Sequence, residues 1–308
     1  MKPFPLAQAL AALFLSAPVG AVEMQIPGPL GPLAAQAIAV QDARHVVVLI
    51  PGSGPTDRDG NGPLVRSDTY RLLAEGLAEA GIASVRIDKR GLFSSAGAIA
   101  DPNAVTLADY AADARAWVVE AQGLAPCVWL MGHSEGGLVA LLAAGDPPPG
   151  LCGVILLATP GRKVGQLMVE QVAANPAMFF LMGEMRAIVA DLEAGTPRPA
   201  QTIPLPLRPL FPPELQPYLI DVFAHDPAQL AAGWSGPALI VQGGRDIQVT
   251  PADADILARA MPQARRQDLP LATHMLKDDL PGQPFATYAN PALPLDPALI
   301  PAISAFLP

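Results

Sequence analysis

Residues 132–137 read Gly132-His133-Ser134-Glu135-Gly136-Gly137. They sit between the apolar run Cys127-Val128-Trp129-Leu130-Met131 and an alanine- and leucine-rich stretch reaching Ala144. The run before has the character of a buried strand, and the stretch after it that of a helix from about Gly136 to Ala144. A serine in the sharp turn between a strand and a helix is held in a strained conformation. Residues two before and two after it must then lack side chains that would clash, and both are glycine. The pattern in this setting reads as a nucleophile raised at the end of a strand.

The same alternation continues along the chain. Apolar runs at 45–50, 83–88, 152–157 and 237–242 alternate with helical patterns at 67–80, 107–121 and 252–261, with Ser67 as the expected N-cap of the first. Continuous apolar strands between helices predict a mostly parallel sheet covered on both faces. The stretch 161–235 breaks the rhythm. It is helix-like around Met178-Phe179-Phe180-Leu181-Met182, then proline-rich from Pro197 to Pro217, and it reads as a cap inserted over one edge of the sheet. The expected division is a leader at 1–21, core at 22–160, cap at 161–235 and core again at 236–308.

The 308 residues are half apolar, only 15% charged, and carry a formal net charge of -9. That balance fits a turn-rich globular protein and argues against a surface that gathers nucleic acid. Met1-Lys2, an apolar run from Leu6 to Leu15, and small residues up to Ala21 have the three parts of a secretory signal with cleavage after Ala21. A periplasmic or secreted protein without a stable membrane anchor is expected. Two cysteines, Cys127 and Cys152, each open a strand-like run at the same sheet edge. They read equally as a disulfide and as two buried thiols.

The loop after the first apolar run, Pro51-Gly52-Ser53-Gly54-Pro55-Thr56-Asp57-Arg58-Asp59-Gly60-Asn61-Gly62, has two readings. Asp57, Asp59, Asn61 and Asp68 match the spacing of a calcium loop, but a strand precedes them where that motif needs a helix. From Pro51 to Gly54 the loop instead offers main-chain N–H groups to an anion.

Taken together, PGSGPTDRDGN, Asp88-Lys89-Arg90-Gly91 and GHSEGG resemble bacterial carboxylesterases of the α/β-hydrolase superfamily, near the serine aminopeptidase-like and feruloyl esterase-like groups. The resemblance runs from about Val46 to the C-terminus. It implies an α/β-hydrolase fold with an eight-stranded core, a catalytic serine, an acid after the seventh strand and a histidine after the eighth. Of the four histidines, His45 precedes a strand at the far edge, His133 is expected to turn away from the serine, and His225 lies in the cap. His274, in a loop after the last strand-like run, is the best-placed base, with His225 as its rival. Asp246, ending Gln242-Gly243-Gly244-Arg245-Asp246, is the expected acid; Asp278 and Asp279 follow His274 too soon. Glu135 and Ser53 are the expected oxyanion N–H donors, with Gly54 as an alternative to Ser53 and as a substrate contact.

The expected chemistry is ester hydrolysis through an acyl-enzyme on Ser134, with no metal or organic cofactor. Met178, Phe179 and Met182 are expected to meet a short or medium apolar group, or simply to pack the cap. Asp57, Arg58 and Asp59 read as loop struts pairing with Arg90; the rival is that Arg58 or Arg90 reaches an acidic substrate group. A peptidase or amidase is the alternative activity, with Glu170, Glu184, Asp191 and Glu193 available for a free amine. A silent binding protein and an interfacial lipase stand behind it.

Overall fold

The computed structural model describes residues 20–283 and 285–308. The expected leader lies outside the described residues, apart from Gly20 and Ala21. Among the described residues ten strands run in chain order: β1 Ala21–Ile26, β2 Leu33–Ile38, β3 His45–Ile50, β4 Asn61–Gly62, β5 Val65–Arg66, β6 Ala83–Ile87, β7 Cys127–His133, β8 Leu151–Leu157, β9 Ala238–Gly243 and β10 Arg265–Leu269. Eight form one sheet in the order β1-β2-β6-β3-β7-β8-β9-β10, while β4 and β5 make a small hairpin. Only β1–β2 and β2–β6 pair antiparallel in the large sheet; the remaining pairs are parallel.

The helices are α1 Thr69–Glu79, α2 Leu107–Ala121, α3 Glu135–Ala144, α4 Val164–Ala173, α5 Met182–Glu193, α6 Gln216–Ala224, α7 Pro227–Ala232, α8 Pro251–Ala260, α9 Ala286–Ala289 and α10 Leu299–Phe306. The two faces of β3 show why its sequence is apolar throughout. Val46, Val48 and Ile50 join one core with α2 and α3 residues such as Trp117 and Leu138. Val47 and Leu49 join the other with Leu73 of α1 and Ile303 of α10. A strand covered on both sides has no solvent face to make polar.

α1 begins one residue later than the Ser67 cap implies, with Asp68 as its N-cap. Asp68 takes a left-handed conformation at φ 51°, and the Asp59 carbonyl accepts from both Tyr70 N–H and Arg71 N–H. A main-chain carbonyl of the aspartate-rich loop thus satisfies amides that a cap side chain normally serves. α2 instead has a reciprocal cap, with Thr106 and Asp109 each accepting from the other's N–H.

Between β8 and β9 the chain leaves the sheet to form α4–α7. Their inner face, with Met185, Ile188, Leu192, Phe211 and Phe223, is continuous with the core over α2 and α3. At the opposite edge of the sheet a disulfide joins Cys127 and Cys152, with Cα atoms 5.6 Å apart. The pairing register of β7 and β8 shifts there, so Cys152 is the extra residue of a bulge.

Candidate active site

β7 ends at His133 and α3 starts at Glu135, leaving Ser134 alone at φ 54°, ψ -124°. This region is one that residues bearing a Cβ rarely occupy. The strain is enforced by close packing. A methyl on Gly132 would stand 2.1 Å from the Gly136 oxygen, and one on Gly136 2.3 Å from the Ile50 oxygen. The serine N–H donates to the Leu157 carbonyl at 2.8 Å, which ties the turn to the neighbouring strand.

The loops after β3, β7, β9 and β10 meet at this edge. Asp246 is buried, and its Oδ1 accepts from the N–H groups of Gln248 and Val249 at 2.8 and 2.9 Å. Its Oδ2 is left to face His274 Nδ1 at 2.7 Å. Two main-chain donors replace the water a buried carboxylate has lost, and the aspartate fixes the imidazole as the Nδ1–H tautomer. His274 Nε2 is then the free acceptor. His274 and Ser134 line a common cavity of about 130 Å³ with Ser53, Tyr70 and His133. No hydrogen bond joins the serine hydroxyl to His274 among the described residues.

His133 does not turn away from the site as its position in the turn implies. Its ring centroid is 4.7 Å from that of His274, and its Nε2 lies 2.8 Å from the His274 carbonyl oxygen. A carbonyl can only accept, so Nε2 carries the proton and Nδ1 accepts from the Tyr70 hydroxyl at 2.8 Å. Tyr70 in turn accepts from Gly52 N–H at 3.1 Å. The chain Gly52–Tyr70–His133–His274 connects the glycine loop to the histidine loop. Tyr70 has no motif around it; its only sequence signal is a large aromatic in the first turn of α1.

Burial, with the neighbouring His274 as a smaller contribution, pushes the His133 imidazole down from 6.5 to about 3. Between these values the unfolded chain takes up a proton that the folded protein refuses. Stability therefore falls as pH drops below 6.5, by about 1.4 kcal/mol per pH unit from this residue, and the loss levels off near its folded value. Urea titrations at pH 7, 6 and 5 are expected to show this slope in the parent and its absence in His133→Gln. Parallel pH dependence of the two proteins would refute it.

The glycine loop lies directly on Ser134, since a methyl on Gly52 would come 3.3 Å from Ser134 Cβ. Neither Ser53 N–H nor Glu135 N–H has a protein acceptor among the described residues. Gly54 lines a second cavity of about 340 Å³ between core and cap, with Lys89, Tyr110, Leu215 and Tyr218. Tyr218, on α6, donates to the Glu135 carboxylate at 2.7 Å and so links the cap to the residue after the serine.

The charged loop is a set of struts, but with other partners than expected. Arg58 pairs with Asp88 at 2.7 Å and with Glu23 at 2.6 Å, and Asp59 pairs with Arg86. Arg90 pairs with Asp109 and Asp113 on α2 and does not touch Asp57, Arg58 or Asp59. Asp57 accepts from the N–H groups of Asp59 and Asn61, and Asp68 binds Asn61 and Arg71. The donors of the calcium reading are thus each spent within the loop and its neighbours.

Met178, Phe179 and Met182 line neither cavity. Met182 is buried in the cap core, Met178 packs against it, and Phe179 is 81% exposed. Apolar composition marks the stretch around Met178, whereas the cap lines the cleft with residues between Pro212 and Tyr218, where prolines obscure the helical pattern. The four cap carboxylates expected to meet a free amine face elsewhere too, whereas Glu214 lines the second cavity. Glu170 pairs with Arg162, Glu184 and Asp191 pair with Arg198, and Glu193 lines neither cavity. His225, the rival base, lies 4.0 Å from Asp221 and outside both cavities.

A family model described as serine aminopeptidase, S33, matches residues 61–232, more than half of the chain. The chain belongs to this family. Esterase EstD of Thermotoga maritima is 28% identical to this family member over 217 residues, 68% of the chain and 48% of EstD. The chain spans about half the length of the curated relatives it matches. Among solved structures, the proline iminopeptidase of Mycobacterium smegmatis superposes with TM-score 0.61 at 15% identity, over 93% of this chain and 97% of that one. Est1E of Butyrivibrio proteoclasticus with ferulic acid bound gives 0.59 at 18%, over 92% and 97%. These likenesses, with the mostly parallel eight-stranded sheet, make the fold an α/β-hydrolase fold.

Proposed function

We propose that the protein is an exported serine carboxylesterase acting through an acyl-enzyme on Ser134. The observation that carries the reading is the cavity shared by Ser134, on its strained turn, and His274, whose Nδ1–H is held by the buried Asp246. His274 Nε2 takes the hydroxyl proton as Ser134 Oγ attacks the ester carbonyl carbon. The carbonyl electron pair moves onto oxygen, where the N–H groups of Glu135 and Ser53 receive it. Collapse expels the alcohol, which leaves with the proton from His274. Water, deprotonated by the same imidazole, then releases the acid and restores Ser134.

An ester rather than a peptide is supported by the mostly apolar lining of the core–cap cleft, to which the cap brings one carboxylate, Glu214, while Glu170, Glu184 and Asp191 are engaged elsewhere with arginines. The esterase named among the relatives points the same way. Short and medium acyl or alcohol groups suit the 340 Å³ cleft beside Gly54. Export is supported by the leader-like N-terminus and by the Cys127–Cys152 disulfide.

Hydrolysis of p-nitrophenyl esters from acetate to palmitate, beside an aminoacyl p-nitroanilide, tests the reading. Turnover is expected to peak at a short or medium chain and to be negligible on the anilide. Preference for the anilide would establish the peptidase instead. N-terminal sequencing of the exported protein is expected to begin at Val22.

A further inference from the structure

Gly52 is gripped at both ends of its main chain. Its N–H donates to the Tyr70 hydroxyl, and its carbonyl oxygen accepts from Lys89 Nζ at 2.6 Å. In a trans peptide the carbonyl oxygen of one residue and the N–H of the next point in opposite directions across one plane. No peptide is cis among the described residues. Whatever holds Gly52 O therefore also decides where Ser53 N–H points.

The holder is an unusual choice. Lys89 directly follows β6's loop residue Asp88 and is 4% exposed, with its ammonium 5.5 Å from the centre of the Tyr110 ring. It forms no ion pair within 4.0 Å among the described residues: Asp88 is taken by Arg58, and Arg90 by α2. Burial pushes its ammonium below the usual lysine range, and only the charge of Glu135 opposes this. A buried cation without a close counter-ion is costly unless its hydrogen bonds compensate. The one it makes ends on the peptide that presents Ser53.

We propose that Lys89 is a positioning residue for the oxyanion. Its ammonium, drawn onto Gly52 O, turns the Gly52–Ser53 peptide so that Ser53 N–H faces the reacting carbonyl. A cation on the oxygen of an amide also draws electron density from its nitrogen, making Ser53 N–H the stronger donor. Tyr70 holds the preceding peptide, so the loop cannot swivel as a unit to relieve a lost contact. The proposal rests on the acyl-enzyme reading above.

The test is Lys89→Met, with p-nitrophenyl butyrate as substrate and a trifluoromethyl ketone as the probe whose Ser134 adduct carries an oxyanion. Loss of one oxyanion donor costs roughly 100- to 1000-fold, so a misaimed one is expected to lower kcat roughly 10- to 100-fold. The melting temperature stays near the parent's, KM changes by a smaller factor than kcat because Lys89 also lines the substrate cleft, and the ketone Ki rises by the factor by which kcat falls. A parental kcat, a change confined to KM, or a fall in kcat without weaker ketone binding would each overturn the proposal. If Lys89→Met does not fold, Lys89→Leu, which likewise has no donor for Gly52 O, is read in the same way, and a parental kcat overturns the proposal equally. Ser134→Ala separates the two layers. Turnover above a thousandth of the parent's in that variant sinks the acyl-enzyme reading itself, whereas a Ser134→Ala below that level beside a fully active Lys89→Met sinks only the role of Lys89.

Discussion

Ser134→Ala is expected to lower kcat on p-nitrophenyl butyrate by roughly four to six orders of magnitude, leaving only the slow turnover of a polarising site without a nucleophile. The binding cavities do not depend on the hydroxyl, so KM should move little. A companion variant separates chemistry from backbone strain. Ser134 sits at φ 54°, ψ -124°, a region glycine enters freely and residues with a Cβ do not. Ser134→Gly is therefore expected to be as inactive as the alanine variant and more stable than it by about 1 kcal/mol. Equal melting temperatures for the two would show that the turn stores no strain. Residual turnover above a thousandth of the parent's would point to another nucleophile.

Gly136→Ala is expected to destabilise the protein by about 3 kcal/mol or more, an overpacking cost at the upper end because backbone cannot rotate out of the way. The new methyl would lie 2.3 Å from the Ile50 oxygen and 2.7 Å from the Pro51 oxygen. Relief requires α3 to part from the end of β3, which carries the loop that presents Ser53. Activity should fall even in molecules that remain folded. Gly183→Ala is the control. Nothing lies within 4 Å of that position, and α5 gains a better helix former, so stability is expected to hold or rise by up to about 1 kcal/mol. Urea denaturation of both variants, with kcat at low denaturant, checks the pair. Parental stability in Gly136→Ala would remove the packing account of the turn.

What was legible in the sequence was local. Ser134 announces itself because two neighbouring backbones forbid side chains at Gly132 and Gly136, and that prohibition is written within five residues. The parallel sheet was legible because a strand covered on both faces has nowhere to place a polar residue. Contacts between distant segments left no such mark. The pairing of Arg90 with α2, rather than with the loop around Arg58, is set by how β6 and α2 lie in space. His133 was placed by its turn alone, yet its ring is decided by Tyr70 and by the carbonyl of His274, 63 and 141 residues away. The cap misled for a different reason. Apolar composition marks both packing and binding surfaces, and Met182 and Phe179 went to the cap core and to solvent.

The strand that leads to Ser134 is anchored at its other end by the covalent link between Cys127 and Cys152. The loops of the proposed active site and the cross-link occupy opposite margins of one sheet, so the demands on them are separable. The margin that does chemistry can exchange its loops, and with them its substrates, while the sewn margin keeps the strands in register. Conversely, a change of redox compartment should alter how long the molecule survives before it alters what the molecule does. Durability and specificity are, in this fold, adjusted from different ends.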